Sequence, residues 1–227
     1  MTWVKICGTT NLEDALLAVD AGADALGFVF DDKSPRRVEV ESVREIVRQL
    51  PQGVEKVGIF VDHRPEQIRQ IVQRAGLTAV QLHRIEASPA GFWPASQAAF
   101  KERLGVPKLM VAISGERLTE SGFFLGDEAR KQLYAVLIDS GTAAQPGGTG
   151  KQFDWSEETR GMIQVISLSV PVIVAGGLNP ENVGQALELF QPFGIDVVSG
   201  VEARPGKKDP EKVRAFVQAV RRAEKSA

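Results

Sequence analysis

The sequence predicts an α/β fold of a particular kind, a single-domain (β/α)8 TIM barrel with parallel strands spanning residues 1–227. Three observations lead there. Short apolar, β-branched runs alternate with amphipathic stretches from end to end. Eight such runs in 227 residues give about 28 residues per unit, close to the ~30 of one βαβ repeat. No Ser/Gly-rich linker or shift in composition divides the chain, and eight unbroken β-α units favour a closed barrel over an open doubly wound sheet.

The candidate strands, in order, are Trp3–Cys7, Asp24–Phe30, Lys56–Val61, Ala79–His83, Lys108–Ile113, Tyr134–Asp139, Val172–Ala175 and Asp196–Ser199. Helical spacing follows the first strand at Leu12, Ala15, Leu16 and Val19, and the second at Val43, Ile46, Val47 and Leu50. Further helices are expected over Pro65 to Ala75, Pro180 to Phe190 and Asp209 to Ala223. Asn11 can cap the first helix, with Glu13 and Asp14 in its positive first turn. Gly22 in Ala21-Gly22-Ala23-Asp24 reads as a helix stop. Asn179-Pro180 supplies a cap and then a proline at the first helical position. Two stretches are irregular: Ser140–Gly150 is glycine-rich, and Gly115–Gly126 makes a weak fifth helix.

Composition narrows the function. Twenty-seven Lys+Arg against 29 Asp+Glu leave a formal charge of −2, so no excess of cations is present to neutralise nucleic-acid phosphates. One cysteine removes a disulfide framework or a cysteine-rich zinc site. Two histidines, His63 and His83, leave little for a metal centre. The chain opens almost directly into the apolar run Trp3–Cys7 with no basic-then-apolar signal segment, and no stretch reaches the ~18 apolar residues of a membrane span. A cytoplasmic protein without nucleic-acid or membrane partners is expected, and the lack of a long hydrophobic patch favours a monomer.

In such barrels the working groups sit at the carboxyl ends of the strands and in the loops that follow. That rule selects Cys7, Arg36 and Arg37, Gln81 and His83, Asp139, Gly176-Gly177 and Ser199-Gly200. Alternation along the strands sends Val4 and Ile6 toward the helices and Lys5 and Cys7 into the barrel. Leu137 and Asp139 point inward in the same way, so a thiol and a carboxyl face one cavity mouth. Gly176-Gly177 and Ser199-Gly200 follow the seventh and eighth strands, where this fold repeatedly binds phosphate; tight turns are the alternative reading. Gly147–Lys151 is not a nucleotide-binding loop, because Gln152 stands where Ser or Thr is required. It is expected to be a mobile lid or substrate loop, which brings in Gly148 and Gly150.

Each candidate has a plain alternative. Cys7 could simply fill space, as buried cysteines often do; Lys5 beside it could lower its pKa and make it a base. A buried Lys5 would also need a carboxylate, with Asp196 the obvious partner. Asp139 could cap a turn through Ser140-Gly141. Arg36 and Arg37 could be surface charges, although their loop places one of them at the mouth, where a guanidinium can grip a carboxylate. His63 is expected to face solvent, and His83 to contact substrate or nothing in particular.

Taken together the motifs carry a resemblance. Lys5-Ile6-Cys7-Gly8-Thr9-Thr10, Gly27-Phe28-Val29-Phe30, Ser34-Pro35-Arg36, Val80-Gln81-Leu82-His83, Gly147–Lys151 with Phe153-Asp154-Trp155, Gly176-Gly177-Leu178-Asn179-Pro180-Glu181-Asn182-Val183 and Asp196–Glu202 with Pro205–Asp209 resemble the phosphoribosylanthranilate isomerase family of tryptophan biosynthesis, in the family's order and over nearly the whole chain. The resemblance implies an Amadori rearrangement of a phosphosugar aminoaldose to an aminoketose, without metal or other cofactor. It puts Cys7 at the general-base position and Asp139 at the general-acid position. Arg36 falls where the anthranilate carboxylate is held, and Gly177, Ser199 and Gly200 in the phosphate loops. The expected substrate-binding set is completed by Gln81, His83, Gly148, Gly150, Gly176 and Asp196. One departure is evident: Arg84-Ile85-Glu86 follows His83 where the family has glycine and an acidic residue, and Pro89–Trp93 is also unusual. Rival readings are another phosphosugar barrel enzyme, of the indole-glycerol-phosphate synthase or ribulose-phosphate epimerase type, and a non-catalytic phosphometabolite-binding barrel. The first two lack their expected lysines or metal-binding histidines here, and the third needs neither Cys7 nor Asp139.

Overall fold

A computed structural model of the chain describes residues 1–83, 97–106, 108–118, 131–140 and 153–226. Eight parallel strands close into a barrel in chain order: β1 (Trp3–Ile6), β2 (Ala25–Val29), β3 (Glu55–Val61), β4 (Ala79–His83), β5 (Lys108–Ser114), β6 (Ala135–Asp139), β7 (Val172–Val174) and β8 (Gly194–Val197). β1 closes the ring on β8, with Trp3 opposite Gly194 and Lys5 opposite Asp196. Each expected strand is present, β4 with the expected bounds and the others with ends moved by at most two residues.

The largest shift is in β8, expected at Asp196–Ser199. It begins at Gly194, and Ser199–Val201 forms a turn of 3-10 helix. A Cβ at Gly194 would stand 2.8 Å from the Trp3 carbonyl oxygen. Glycine is what lets β8 pair closely with β1 at this point.

Strand alternation sorts the apolar residues into two layers. Val4 and Ile6 join the outer core, packed with helix residues such as Ala15, Val43, Ile68 and Phe216. Cys7, Ala25, Val57, Ile59, Ala79, Met110, Ala135, Leu137, Ile173 and Ala175 form the inner core. The inner core is rich in alanine because side chains converging on a barrel axis need small volumes.

The surrounding helices are α1 (Leu12–Asp20), α2 (Val40–Val47), α3 (Pro65–Ala75), α4 (Gln97–Leu104), α5 (Gly115–Leu118), α6 (Glu157–Ser167), α7 (Val183–Phe190) and α8 (Pro210–Ser226). Asn11 caps α1 as expected, its Oδ1 accepting from the Asp14 N–H at 2.9 Å. Gly22 follows with φ 99°. α5 is a single turn, in keeping with a weak fifth helix; the rest of Gly115–Gly126 lies outside the described residues. α7 starts three residues later than expected. The Asn179 Oδ1 accepts from the N–H groups of Glu181 (2.9 Å) and Asn182 (3.0 Å), which makes an Asx turn in place of a first helical turn. Asn182 reaches back, its Nδ2 donating to the Gly177 carbonyl at 3.0 Å. That reciprocal turn anchors the glycine loop after β7.

A short hairpin, β9 (Glu202–Arg204) and β10 (Lys207–Lys208), follows the 3-10 turn and was not expected. No helix among the described residues is long and apolar enough to cross a membrane.

Candidate active site

The carboxyl ends of the strands open into a cavity of about 680 Å³ lined by residues of β1 to β4, β6 and β8 and their loops, Cys7, Arg36, Gln81, His83, Asp139 and Asp196 among them. A smaller hollow between the loops after β7 and β8 is lined by Gly176, Gly177 and Ser199 and shares Asp139, Asp196 and Val198 with the larger one. The two are therefore contiguous.

Cys7 is the first residue past β1, and its N–H still donates to the Val197 carbonyl at 2.9 Å. Its thiol points inward across Gly27. A Cβ at position 27 would stand 2.5 Å from Cys7 Sγ and 3.1 Å from its Cα, so only glycine leaves the thiol room. Burial pushes the thiol pKa up; the ammonium groups of Lys5 and Lys208 oppose this, and the Asp196 carboxylate adds to it. The expected net lowering by Lys5 is thus corrected: the neighbouring cation is present, but desolvation outweighs it.

Lys5 and Asp196 meet because the β1–β8 register sets them side by side on the inner face. Lys5 Nζ donates to Asp196 Oδ1 at 2.8 Å, and both are buried. Burial alone would pull Lys5 down, but the Asp196 and Cys7 charges carry it above its ordinary value. Asp139 ends β6 with its carboxyl buried. Burial, and then repulsion from Asp196, pushes it up to about 6 against the hydrogen bonds of Ser140.

Gln81 is buried and its Nε2 donates to His83 Nε2 at 2.8 Å, while its Oε1 has no partner among the described residues. Arg36 comes from the β2–α2 loop and turns its fork onto Glu202, Nε to Oε1 at 2.9 Å and Nη2 to Oε2 at 2.8 Å. Arg37 is the surface member of the pair, bridged to Asp32 and Glu39. Gly176 and Gly177 adopt φ 80° and 66°, the left-handed region where a side chain is strained. Gly200 has a different part: a Cβ there would stand 1.9 Å from the Leu178 carbonyl oxygen, so it lets the two loops meet and does not line the hollow.

Gly148 and Gly150, with Arg84 and Pro89–Trp93, lie outside the described residues. His63 is a correction. It lines the cavity, because its Nδ1 donates to the Val61 carbonyl at 2.7 Å and its ring edge packs on Phe60. Sequence reasoning held Gly27, Glu202 and Lys208 only as parts of motifs and gave them no role. Glu202 is buried and accepts from Arg36, the Gly206 N–H (3.2 Å) and Lys208 Nζ (3.3 Å). Lys208 Nζ also donates to the Cys7 carbonyl at 2.6 Å and that of Val198 at 3.3 Å. The Arg36 partner of Glu202 and the Cys7 partner of Lys208 lie 166 and 201 positions away and leave no local signal. Among the described residues no cluster of three His, Cys, Asp or Glu could hold a metal ion.

A buried thiol and a buried carboxyl on one cavity can move protons to and from a bound molecule, and the glycine hollow suits an anion. Comparison with known proteins points the same way. Residues 4–219 match the family described as N-(5'phosphoribosyl)anthranilate (PRA) isomerase. The N-(5'-phosphoribosyl)anthranilate isomerase of Geobacter sp. (strain M21) is 42% identical over 218 residues, covering 96% of this chain and 97% of that one. The crystal structure of phosphoribosyl anthranilate isomerase from Thermotoga maritima superposes with a TM-score of 0.78 at 38% identity, over 97% of this chain and 99% of that one. A phosphoribosyl anthranilate isomerase in complex with reduced 1-(o-carboxyphenylamino)-1-deoxyribulose 5-phosphate gives 0.74 at 35% identity, with the same coverage of both chains.

Proposed function

The chain belongs to the N-(5'-phosphoribosyl)anthranilate isomerase family, and from that premise we propose that Cys7 and Asp139 perform the proton transfers of its reaction. It is an isomerase of tryptophan biosynthesis, converting N-(5-phosphoribosyl)anthranilate to 1-(2-carboxyphenylamino)-1-deoxyribulose 5-phosphate. The observation that carries the residue assignment is the shared cavity: Cys7 and Asp139 line one space that runs into the hollow beside Gly177 and Ser199.

In this reading the hollow takes the phosphate, and Arg36 the ring carboxylate through the part of its fork that Glu202 leaves uncommitted. Gln81, His83 and Asp196 face the sugar between them. Asp139 in its acid form gives its proton to the ribose ring oxygen. The C1–O bond breaks as the nitrogen lone pair forms an iminium. Cys7 as thiolate then takes the proton from the sugar's second carbon, and the released electron pair neutralises the iminium as an enolamine, which tautomerises to the ketone. The iminium is itself a cation beside the thiol, so the first transfer eases ionisation of the base needed for the second. Holding both substrate ends keeps the reacting carbon between the two groups.

We further read the enzyme as a cytoplasmic monomer. A working thiol suits a reducing compartment, and among the described residues the exposed large apolar side chains Met1, Leu16, Val165, Leu168 and Phe193 are spread over the N-terminus, α1, the end of α6 and the segment before β8. Sedimentation at one chain per particle supports this, and a larger particle opposes it.

Substrate deuterated at the sugar's second carbon tests the assignment. Wild-type turnover should slow several-fold on deuteration, and Cys7→Ala should lose turnover. Unaltered turnover of the labelled substrate by Cys7→Ala would show that the thiol is not the base.

A further inference from the structure

We propose that the buried Glu202–Lys208 pair is a positioning device that presets Arg36 for the substrate carboxylate and holds the Cys7 main chain in the same network, an inference that rests on the reading of Arg36 given above. Both Glu202 oxygens are taken up by the guanidinium, Nε at 2.9 Å and Nη2 at 2.8 Å. A two-point lock fixes the guanidinium plane, and Nη1 is the nitrogen it leaves over. An arginine held this way has already lost the rotamer freedom that binding would otherwise remove, so more of each new bond appears as affinity.

Lys208 joins that lock to the base. An ammonium has three protons to give, and three acceptors surround this one: the Cys7 carbonyl at 2.6 Å, the Val198 carbonyl at 3.3 Å and Glu202 Oε1 at 3.3 Å. Lys208 is fully buried and absent from the cavity lining, so its work is on the protein. The Arg36 stem is seated independently. A Cβ at Gly8, the residue after Cys7, would stand 2.7 Å from Arg36 Cδ, so the carboxylate grip packs directly on the turn that carries the thiol. Glu202 and Lys208 are thus positioning residues.

A double-mutant cycle of Arg36→Ala and Glu202→Gln tests this, with steady-state kinetics on phosphoribosylanthranilate and binding of two stable product analogues, one with the ring carboxylate and one without. Glu202→Gln should raise KM ~10-fold with a smaller fall in kcat, and should weaken only the carboxylate-bearing analogue. The double variant should be no worse than Arg36→Ala alone. Additive losses, equal weakening of both analogues, or wild-type behaviour of Glu202→Gln would overturn the inference. If Arg36→Ala itself leaves KM and both affinities unchanged, the assignment of Arg36 to the carboxylate fails first. Should Glu202→Gln not fold, Glu202→Asp keeps the charge but shortens the reach and must show the same split between KM and kcat; failure of both to fold makes the pair a stability element and overturns the proposal.

Discussion

Burial pushes Cys7 and Asp139 in the same direction, toward their protonated forms. For Asp139 this has a consequence for stability as well as for chemistry. Its pKa is about 6 against an ordinary 3.8, so between those values the folded chain keeps a proton that the unfolded chain has released. Stability from this group is therefore fully present below about pH 4 and lost as pH rises through 6. A rise of that size corresponds to ~3 kcal/mol. Asp139→Asn removes the charged form, so it should be more stable than wild type by about 2–3 kcal/mol at pH 7.5, with the advantage gone at pH 4. Urea unfolding at the two pH values checks this; equal stability at both would mean that burial is not what raises the carboxyl. The inward direction of Cys7 and Asp139 was legible from strand alternation alone. The thiol's net pKa was not, because it depends on how completely the barrel buries the group, which outweighs the cation that the sequence placed beside it.

The β9–β10 hairpin carries both Glu202 and Lys208, and besides its bonds to Arg36 and the Cys7 carbonyl it is held to α1 by one buried carboxylate. Asp14 of α1 is buried and accepts from the Lys208 N–H at 2.8 Å, Lys207 Nζ at 2.7 Å and Asn11 Nδ2 at 2.9 Å. Asp14→Ala leaves the buried Lys208 N–H without a partner and should cost about 2–3 kcal/mol, whereas Asn11→Ala, which removes the cap and one donor to Asp14 but leaves both lysine bonds in place, should cost about 1 kcal/mol. Thermal unfolding of the two variants side by side checks the order; a larger loss in Asn11→Ala would contradict it. The hairpin escaped the sequence reading for a physical reason. Lys207 and Lys208 sit in a short charged turn that reads as solvent-facing, and what buries Lys208 is contact with Cys7 and Asp14, about two hundred positions away. α7 failed more narrowly. Asn179-Pro180 has a helix-start composition, but Asn182 supplies a second amide that closes a tight turn instead. Where every signal was local, as with Asn11 and α1 or Pro65 and α3, element and boundary agree with expectation.

Over the whole molecule, closure of the ring makes the site. Strand periodicity was enough to predict the barrel and the end at which its chemistry lies, and motif order was enough to indicate the family. Closure itself sets β8 against β1, which brings Asp196 to Lys5 and Glu202 to Arg36. The assembled site buries both reactive groups beside one cavity, where the productive form, thiolate with carboxylic acid, has the same number of protons as the more stable thiol with carboxylate. kcat/KM should accordingly be level from about pH 6, the Asp139 value, to the raised pKa of the thiol, and fall about tenfold per unit below 6 as the pair gains a second proton. A profile still level at pH 5 would contradict this. The most direct measurement of the central claim is anthranilate-type fluorescence during conversion of freshly generated phosphoribosylanthranilate by wild type, Cys7→Ala and Asp139→Asn, with binding of a stable product analogue measured on all three. Rapid turnover by wild type, near-complete loss in both variants and retained binding are the predicted result. Turnover retained by either variant would remove that residue from the mechanism.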